Sequence, residues 1–313
     1  MNPIQQFLDH QPCMILDGGL ATALEQRGAC LNDELWSARL LADEPQRIVE
    51  AHQSYLQAGA DCITTASYQA TVTGFMRAGH TESNARALLR SSVILAIQAR
   101  DAFWESSTKD TARRRPLVAA SVGPYGAFLA DGSEYRGDYG LSDRALADFH
   151  RQRLGLLAEA EPDLLAIETI PSLPETAALM QLLTDHDGPC AWVGFCCRDG
   201  ERLHDGHCIA DAAALCDSVD RVAAVGINCT SPQLVLPLID KVRAQTDKPV
   251  VVYPNSGERY QAEHHSWQSA SQAFDWVTEA KRWLDAGAKM VGGCCRVGPG
   301  KIAMLRQSLL TNN

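Results

Sequence analysis

The sequence predicts a (β/α)8 barrel formed by the whole chain, residues 1–313, as a single domain. Eight short, nearly continuous apolar runs recur along the chain, and a longer amphipathic segment follows each of them. Continuous apolar runs are typical of parallel strands that are buried on both faces. A regular alternation of strands and helices predicts a parallel sheet, and eight such units favour closure into a barrel. An open, doubly wound sheet is the alternative.

The predicted strands end in small or polar residues, and the predicted helices carry the signals of helix ends. The strands span residues 13–17, 61–66, 117–122, 163–168, 191–196, 222–228, 249–254 and 289–293. The helices span residues 44–58, 82–103, 143–159, 174–186, 211–219, 232–244, 271–286 and 299–310. Several of these helices begin with Pro or a capping Asp or Ser and end near Gly, as helix termini do.

Composition and charge narrow the possible function classes. With 46% apolar and 21% charged residues, the chain has the composition of a globular protein with a large core. A net charge of −10 without a basic patch predicts no nucleic-acid partner. No apolar stretch approaches ~18 residues and the N-terminal segment lacks a signal-peptide pattern, which predicts a cytoplasmic protein without a membrane partner. We expect a monomer or small homo-oligomer that acts on small molecules.

Polar and thiol side chains stand directly after several predicted strands, where a barrel enzyme carries its chemistry. They include two carboxylates that close strongly apolar runs, Asp17 and Glu168, and three cysteines, Cys229, Cys294 and Cys295. Carboxylates in that position are hard to explain as part of a solvated face. We therefore expect a functional site where these strand ends meet.

The 11 cysteines are the feature to follow. An odd number excludes complete internal pairing, and in a reducing compartment thiols stay free, bind metal or do redox chemistry. Adjacent Cys294 and Cys295 can face one ion only where the backbone bends, and the two glycines before them permit a bend. With Cys229 they form a set of three thiolates that suits Zn²⁺. A vicinal disulfide is the alternative, which a reducing compartment disfavours.

A catalytic zinc keeps its fourth coordination position for water or substrate. The metal deprotonates a substrate thiol placed there, which gives a nucleophile at neutral pH. Three cysteinates and Zn²⁺ carry a net charge of about −1, so the bound sulfur stays electron-rich. This chemistry favours alkyl transfer to sulfur over hydrolysis, for which His and carboxylate ligands are more usual.

The remaining cysteines and histidines are weaker candidates. Cys196-Cys197 also follows a predicted strand but lacks a preceding double glycine, and it is the main alternative ligand pair. The His-containing segments 204–208 and 264–265 are polar, which favours surface turns. We expect the isolated cysteines to be small buried hydrophobes, a set made up of Cys13, Cys30, Cys62, Cys190, Cys208 and Cys216.

Over nearly its whole length, the chain resembles the homocysteine S-methyltransferase family. The resemblance rests on the segments ILDGGLATALEQRG (15–28), LWSARLL (35–41), AGADCITTASYQAT (58–71), SVGPYGAFLADGSEYRGDYG (121–140), IETIPSLPET (167–176), GINC (226–229), VVYPNSGE (251–258) and GGCCR (292–296). GINC and GGCCR together are highly specific, because they form the split zinc-cysteine motif of that family.

The resemblance implies a (β/α)8 barrel that binds one Zn²⁺ per chain through Cys229, Cys294 and Cys295. Homocysteine would be the methyl acceptor, methionine the product, and the homocysteine sulfur would complete the tetrahedron. The implied substrate contacts are Asp17 and Glu168 to the amino group, the backbone of Gly18 and Gly19 near the carboxylate, and further contacts from Thr65 and Asn228. A buried ammonium needs paired carboxylates, and close backbone approach needs glycine. The alternatives are a cap for Asp17 and a turn former for Asn228.

The methyl donor separates the members of the family. Betaine-dependent relatives resemble this chain over the barrel but are longer, and folate-dependent ones are large multidomain proteins. This chain stops after the eighth predicted helix, so it is similar to the compact type that uses S-methylmethionine, or S-adenosylmethionine less selectively. A sulfonium needs a carboxylate or an aromatic face near its positive charge. The segment after the third predicted strand offers four candidates: Glu134, Tyr135, Asp138 and Tyr139.

Other functions stay open on the residues alone. The acceptor could be selenocysteine or another small thiol, the donor could be betaine, and residues 134–139 could form an exposed charged loop. A zinc-binding or thiol-sensing barrel without methyl transfer is the non-catalytic alternative, but such a protein would not need an amino-acid clamp. The all-cysteine ligand set disfavours a barrel hydrolase or lyase.

Overall fold

Eight parallel strands lie side by side around a common interior. The computed structural model describes residues 2–29, 36–107, 113–257, 259–261, 266–268 and 274–310. The strands of the parallel sheet are β1 (Met14–Ile15), β2 (Cys62–Thr64), β3 (Leu117–Val122), β4 (Leu164–Ile170), β5 (Ala191–Phe195), β6 (Val222–Asn228), β7 (Val250–Tyr253) and β10 (Ala288–Val291). Their order is β1-β10-β7-β6-β5-β4-β3-β2. A separate antiparallel hairpin, formed by β8 (Arg259–Gln261) and β9 (Ser266–Gln268), lies between β7 and β10 in the chain.

The two ends of this order, β1 and β2, are joined to each other. Leu16 and Cys62 form a parallel bridge. The amide of Asp61 donates to the Ile15 carbonyl at 2.7 Å, and the amide of Asp17 donates to the Cys62 carbonyl at 3.1 Å. The sheet is therefore a closed ring, which confirms the predicted (β/α)8 barrel and excludes the open doubly wound sheet.

Helices alternate with the strands on the outside of the ring. Those predicted are α4 (Pro45–Ala58), α6 (Glu82–Ser106), α8 (Asp143–Ala158), α9 (Leu173–Asp185), α10 (Ile209–Asp217), α11 (Val235–Arg243), α12 (Trp276–Asp285) and α13 (Pro299–Leu310). Five shorter helices were not predicted: α1 (Gln5–Leu8), α2 (Leu20–Glu25), α3 (Leu40–Asp43), α5 (Val72–Arg77) and α7 (Tyr125–Leu129). Side-chain caps start several of the long helices, such as Ser142, whose hydroxyl accepts from the Ala145 amide at 3.3 Å.

Two apolar layers hold the barrel together. One packs the helices against the outside of the strands, and the other fills the interior near the beginnings of the strands. The interior layer contains fully buried Met14, Trp192 and Met290, and it is joined by Ile4 and Phe7 from the N-terminal segment. The interior at the carboxyl ends of the strands is left for a cavity.

The isolated cysteines largely follow the expectation. Cys13, Cys62 and Cys216 are fully buried, whereas Cys190 and Cys208 are half-buried. Cys30 and the pair His264-His265 lie outside the described residues. Of the helices in the part of the chain that the structure describes, none is long and apolar enough to cross a membrane.

Candidate active site

A cavity of about 930 Å³, including space open to solvent, lies at the carboxyl ends of the strands. Its lining comes from almost every strand end of the ring, because parallel strands in a barrel deliver their last residues to one face. The predicted residues that line it are Asp17, Gly18, Gly19, Thr65, Glu134, Tyr135, Glu168, Cys229, Cys294 and Cys295. Asn228, Asp138 and Tyr139 are absent from the lining.

The three predicted ligand cysteines converge in this cavity. Cys229 follows β6, and Cys294 and Cys295 follow β10. The Sγ atoms of Cys229 and Cys295 are 3.9 Å apart, and those of Cys294 and Cys295 are 4.0 Å apart. All three sulfurs lie within 4.8 Å of one another. Residues 65 positions apart in sequence thus form one compact cluster, as the strand-end argument predicts.

The segment after β10 bends sharply, which lets two adjacent cysteines face the same point. The Cys294 amide donates to the Pro254 carbonyl at 2.8 Å, and the Cys295 amide donates to Asn255 Oδ1 at 3.2 Å. Gly293 must be a glycine, because a Cβ there would lie 2.1 Å from Cγ1 of Val297. Hydrogen bonds from neighbouring strands and close packing therefore fix the bend before any ligand arrives.

The geometry and chemistry of the cluster fit a tetrahedral thiophilic metal. Four sulfurs around zinc, at bonds of ~2.3 Å, would be separated by ~3.8 Å, close to the spacing found here. Hydrogen bonds from the thiols of Cys196, Cys294 and Cys295 hold the pKa of Cys229 well below its ordinary value. Cys229 also has a positive φ of 47°, a costly conformation of the kind found at functional sites. The cluster therefore loses its first proton readily at Cys229, whereas hydrogen bonds to Cys229 and burial raise the pKa values of Cys294 and Cys295 well above the ordinary value. A bound cation would favour the thiolate form of all three.

Cys196, which the sequence offered as an alternative ligand, supports Cys229 from outside the cluster. Its thiol donates to the Cys229 carbonyl at 3.2 Å and lies 3.4 Å from Nε2 of His204. The ring of His204 in turn meets Tyr135 edge-on at 5.8 Å, and the Tyr135 hydroxyl lies 3.3 Å from the Cys229 sulfur. These residues surround Cys229 without joining the group of three. Cys197 points away into the apolar core.

Asp17 lies at the junction of β1, β2 and β10. Its carboxylate accepts from the Thr64 amide at 2.7 Å and from the Thr64 hydroxyl at 3.1 Å. The side chain is 4% exposed, and burial, together with the nearby Glu168 carboxylate, raises its pKa well above the ordinary value. An ammonium group bound in the cavity would remove this penalty by pairing with the carboxylate.

Glu168 faces the same space from β4. Its carboxylate accepts from the Ser121 hydroxyl, and a hydrogen bond from Tyr253 adds to this support. Burial raises the pKa of Glu168 to about 7 despite these bonds. Among the described residues that line the cavity, no cationic side chain forms an ion pair with either carboxylate. Two such buried carboxylates form the kind of site that an ammonium completes.

The glycines after Asp17 allow very close approach to the loop of residues 294–297, which carries two of the clustered cysteines. A Cβ on Gly18 would lie 2.1 Å from the Val297 carbonyl oxygen, and one on Gly19 would lie 2.7 Å from that of Cys294. Both glycines line the cavity. Only glycine fits these contacts, and the Gly19 amide donates to the Val297 carbonyl across them at 3.0 Å.

Of the two further predicted contacts, Thr65 lines the cavity, whereas Asn228 is buried behind its wall. Thr65 lines the cavity, and its Oγ1 accepts from the Ser121 amide at 3.0 Å. Asn228 is fully buried and forms two hydrogen bonds with Thr169. Its Oδ1 accepts from the Thr169 amide at 2.7 Å, and its Nδ2 donates to the Thr169 hydroxyl at 2.8 Å. Thr169, with a φ of 62°, is itself a cavity residue, so Asn228 acts on the cavity through it.

The segment after β3 contributes two of its four predicted side chains to the cavity. Glu134 lines it, and Oε2 of this carboxylate is buried without a hydrogen-bond partner in the described part of the chain. Burial raises the pKa of Glu134 to about 7. Tyr135 lines the cavity beside it, whereas Asp138 is exposed and Tyr139 packs edge-on against Tyr125 at 5.3 Å.

Several lining residues were not predicted as functional. Tyr68 from the segment after β2, Ser121 at the end of β3, and Tyr253 at the end of β7 all face the cavity. Ser121 and Tyr253 could have been found from their strand-end positions alone. Arg296 and Glu25, also in the lining, carried no such signal, since both lie beyond strand ends in a loop and a short helix.

The whole chain is similar to known methyltransferases. A profile of the homocysteine S-methyltransferase family matches residues 14–309. The homocysteine S-methyltransferase YbgG of Bacillus subtilis (strain 168) is 47% identical over 302 residues, 96% of each chain. The selenocysteine Se-methyltransferase of Brassica oleracea var. italica is 44% identical over 307 residues, 95% of this chain and 89% of that one.

A solved structure extends the similarity to three dimensions. The metallated form of the homocysteine methyltransferase MmuM from Escherichia coli matches this fold with a TM-score of 0.87 at 43% identity. The match covers 97% of this chain and 99% of that one. The chain therefore belongs to the homocysteine S-methyltransferase family and is a methyltransferase.

Proposed function

We propose that this methyltransferase uses one Zn²⁺ per chain, held by Cys229, Cys294 and Cys295, to methylate the thiol of L-homocysteine. The observation that carries the proposal is one cavity that combines three converging sulfurs with two buried carboxylates, Asp17 and Glu168. A metal store needs only the sulfurs. An amino acid with a thiol side chain needs both groups, at opposite ends of the same molecule.

The acceptor amino acid is bound by residues on the β1, β2 and β4 side of the cavity. Asp17 and Glu168 accept hydrogen bonds from its ammonium group, and each gains a cationic partner that offsets its burial. The backbone of Gly18 and Gly19 lies beside its carboxylate. Thr65 adds a further polar contact at the same strand ends.

When bound, zinc lowers the pKa of the acceptor thiol, so that the sulfur is a thiolate at neutral pH. The thiol proton passes to solvent. The acceptor sulfur then forms a bond to the methyl carbon while the bond from that carbon to the donor sulfonium breaks. The electron pair of the broken bond stays on the donor sulfur, which leaves as a neutral thioether. With S-methylmethionine as donor, the reaction yields two molecules of methionine.

The donor side of the cavity suits a sulfonium ion. Glu134 presents a buried carboxylate oxygen without a partner in the described chain, and Tyr135 and Tyr68 place aromatic rings beside it. Carboxylates and aromatic faces both stabilise a positive charge in a partly desolvated site. We therefore propose S-methylmethionine, or less selectively S-adenosylmethionine, as the donor. Asp138 and Tyr139 lie outside the cavity and have no direct part in this proposal.

Selenocysteine is a second candidate acceptor. A relative that is 44% identical over 95% of this chain is named a selenocysteine Se-methyltransferase. A selenol differs from a thiol mainly in its lower pKa, so the same thiolate cluster and carboxylates would accept it. With either acceptor, the predicted setting is a cytoplasmic, single-domain enzyme of methionine biosynthesis or the corresponding selenium metabolism.

The experiment is a methyl-transfer assay combined with a measurement of bound zinc. Wild-type protein should bind one zinc and methylate homocysteine with S-methylmethionine faster than with betaine. Cys294→Ser should lose most of both the metal and the activity, because an alcohol is a poor replacement for a thiolate ligand. Cys208→Ser, at a half-buried thiol away from the cavity, serves as the matched control. Unchanged zinc content and activity in Cys294→Ser would contradict the proposal.

A further inference from the structure

The mouth of the cavity carries one cationic side chain among several acids. Of the described residues that line the cavity, Arg296 has the only positive charge, while Asp17, Glu25, Glu134 and Glu168 are acidic. The reaction proposed above brings two amino acids together, and each carries a carboxylate. In that proposal the carboxylate of the acceptor lies beside the backbone of Gly18 and Gly19. The carboxylate of the second amino acid has no assigned partner.

Arg296 is paired loosely with Glu25 at this mouth. The distance between Arg296 Nη1 and Glu25 Oε2 is 3.7 Å, and the two side chains are 41% and 47% exposed. By comparison, Asp17 and Glu168 are only 4% and 8% exposed. Arg296 and Glu25 therefore lie at the outer end of a cavity whose inner end holds the acceptor clamp.

The backbone holds this pair in place. The Arg296 amide donates to the Thr22 hydroxyl at 3.0 Å, and Arg296 has a positive φ of 66° directly after the metal-site cysteines. Thr22 and Glu25 are three residues apart on α2, so both lie on the same face of that helix. One helix thus fixes the Arg296 backbone through Thr22 and meets its guanidinium through Glu25.

We infer that Arg296 and Glu25 bind the α-carboxylate and the α-ammonium of the methyl donor, and so select a donor that is itself an α-amino acid. The inference rests on the proposed function, because it takes the inner clamp to hold the acceptor. An exposed ion pair is worth at most about 1 kcal/mol, so a zwitterion that separates Arg296 from Glu25 loses little from this pair.

The distances along the donor agree with this placement. In S-methylmethionine two methylene groups separate the sulfonium sulfur from the α-carbon. Arg296 follows the ligand Cys295 directly, and consecutive Cα atoms are ~3.8 Å apart. A donor that presents its methyl group to the sulfur cluster, with its sulfonium near Glu134, can therefore extend its α-carbon toward the part of the same cavity that Arg296 and Glu25 line. Betaine has no N–H group for Glu25 to accept and is a poor fit.

The test is a cycle between enzyme variants and donor analogues, with homocysteine as acceptor. The donors are S-methylmethionine, (3-aminopropyl)dimethylsulfonium, which lacks the carboxylate, and (3-carboxypropyl)dimethylsulfonium, which lacks the ammonium. For wild type, removal of the carboxylate should lower kcat/KM by roughly 3- to 10-fold, the loss expected for an ion pair at a half-exposed site.

Arg296→Gln should lower kcat/KM for S-methylmethionine by the same factor and leave kcat/KM for the carboxylate-free analogue unchanged. The substitution and the loss of the donor carboxylate remove the same contact, so their effects should not add. Arg296→Lys should recover part of the loss. Glu25→Gln should show the same pattern with the ammonium-free analogue, at roughly 3- to 10-fold because that group is half exposed. The KM for homocysteine should change less than twofold in all three variants.

Arg86→Gln is the matched control, because Arg86 forms an exposed ion pair with Glu82 at 2.7 Å on α6, outside the cavity. Two results would overturn the inference: a raised KM for homocysteine with the donor unchanged, or equal losses for all three donors in Arg296→Gln. If wild type shows no methyl transfer, the affinity of S-methylmethionine for wild type and for Arg296→Gln is measured by calorimetry. This separates the failure of the proposed function from the failure of the inference about Arg296 and Glu25. Weaker binding to the variant then supports the pair at the mouth while the proposed function fails, and equal binding refutes both.

Discussion

Two pairs of adjacent cysteines follow strands of the same barrel, yet they differ in the path of the backbone and in the directions of their side chains. Cys196-Cys197 continues the extended path of β5, where Cys197 bridges Leu203, so the two side chains point to opposite sides. Cys294-Cys295 follows a bend, and its sulfurs lie 4.0 Å apart in one cavity. Adjacent cysteines thus bring both sulfurs to one point only where the backbone turns. The turn, more than the thiols, distinguishes the two regions.

The largest expected difference between the pairs is in metal binding. Cys295→Ala should reduce kcat/KM for methyl transfer by at least ~1000-fold and abolish stoichiometric zinc, because a three-thiolate site loses a ligand. Cys197→Ala should keep zinc and activity within about twofold and lower the free energy of unfolding by about 1 kcal/mol, a usual loss for a core substitution. Zinc analysis, kinetics and chemical denaturation measure the two variants. Similar zinc loss in both would contradict the comparison.

The three-cysteine cluster, through Cys229, should also differ from the Cys196-Cys197 pair in thiol reactivity. Hydrogen bonds from neighbouring thiols hold the pKa of Cys229 low, whereas burial raises the pKa of Cys197 well above its ordinary value and that of Cys216 to about 12. Because the thiolate is the reactive form, metal-free protein at pH 7 should be alkylated in the cluster at least ~100-fold faster than at Cys197.

Peptide mapping by mass spectrometry after brief iodoacetamide treatment measures the rates. Lowering the pH from 8 to 7 should slow labelling of the cluster less than that of an ordinary thiol, since its first proton is lost at lower pH. Zinc should protect the cluster and leave the other sites unchanged. Equal rates at Cys229 and Cys197 would refute the difference.

The bend itself can be tested at Gly293. Gly293→Ala should weaken zinc binding by roughly 10- to 100-fold, because the added Cβ would lie 2.1 Å from Cγ1 of Val297 and push the loop aside. Gly155→Ala is the control, since no atom lies within 4 Å of a Cβ at that helical position. It should leave zinc unchanged and raise stability by about 0.5–1 kcal/mol. Competition with a chelator measures the affinities, and unchanged affinity in Gly293→Ala would show that the bend tolerates a side chain.

The smallest effect is expected at Cys196, which resembles the proposed ligands in sequence but lies outside the cluster and donates to the Cys229 carbonyl. Cys196→Ala should weaken zinc binding by roughly 3- to 10-fold. This is at or below the low end of the roughly 10- to 100-fold effect that is usual for residues hydrogen-bonded to metal ligands. Cys196→Ser should recover most of this, because a hydroxyl also donates to the Cys229 carbonyl. The absorption spectrum of Co²⁺-substituted protein reports the ligand geometry. Equal losses in the two variants would point to packing rather than to the hydrogen bond.

The barrel and its thiol site could be predicted because both follow from local pattern and topology. Apolar runs fixed the strands, and the strand ends then placed Cys229 beside Cys294 and Cys295. The hairpin β8–β9 and the helix α2 were missed, since strands of three residues and a helix of six are too short for a clear periodic pattern. The side of a loop that faces the cavity is likewise set by tertiary contacts. For this reason Glu134 lines the cavity and Tyr139, five residues later, does not.

The proposed amino-acid clamp and the three-sulfur cluster also lie along the line where the barrel closes. β1 has only two residues, and Asp17 joins it to both neighbours: its amide donates to the Cys62 carbonyl at 3.1 Å, and its carbonyl accepts from the Gly293 amide at 3.0 Å. A ligand held by Asp17 and by the loop after Gly293 therefore spans the ring at its shortest strand. A ligand that binds only the closed ring stabilises the closed ring relative to forms in which β1 has separated from its neighbours. Amide hydrogen exchange at residues 15–17 and 291–293 should slow when the active site fills, so the thinnest part of the barrel reports occupancy directly.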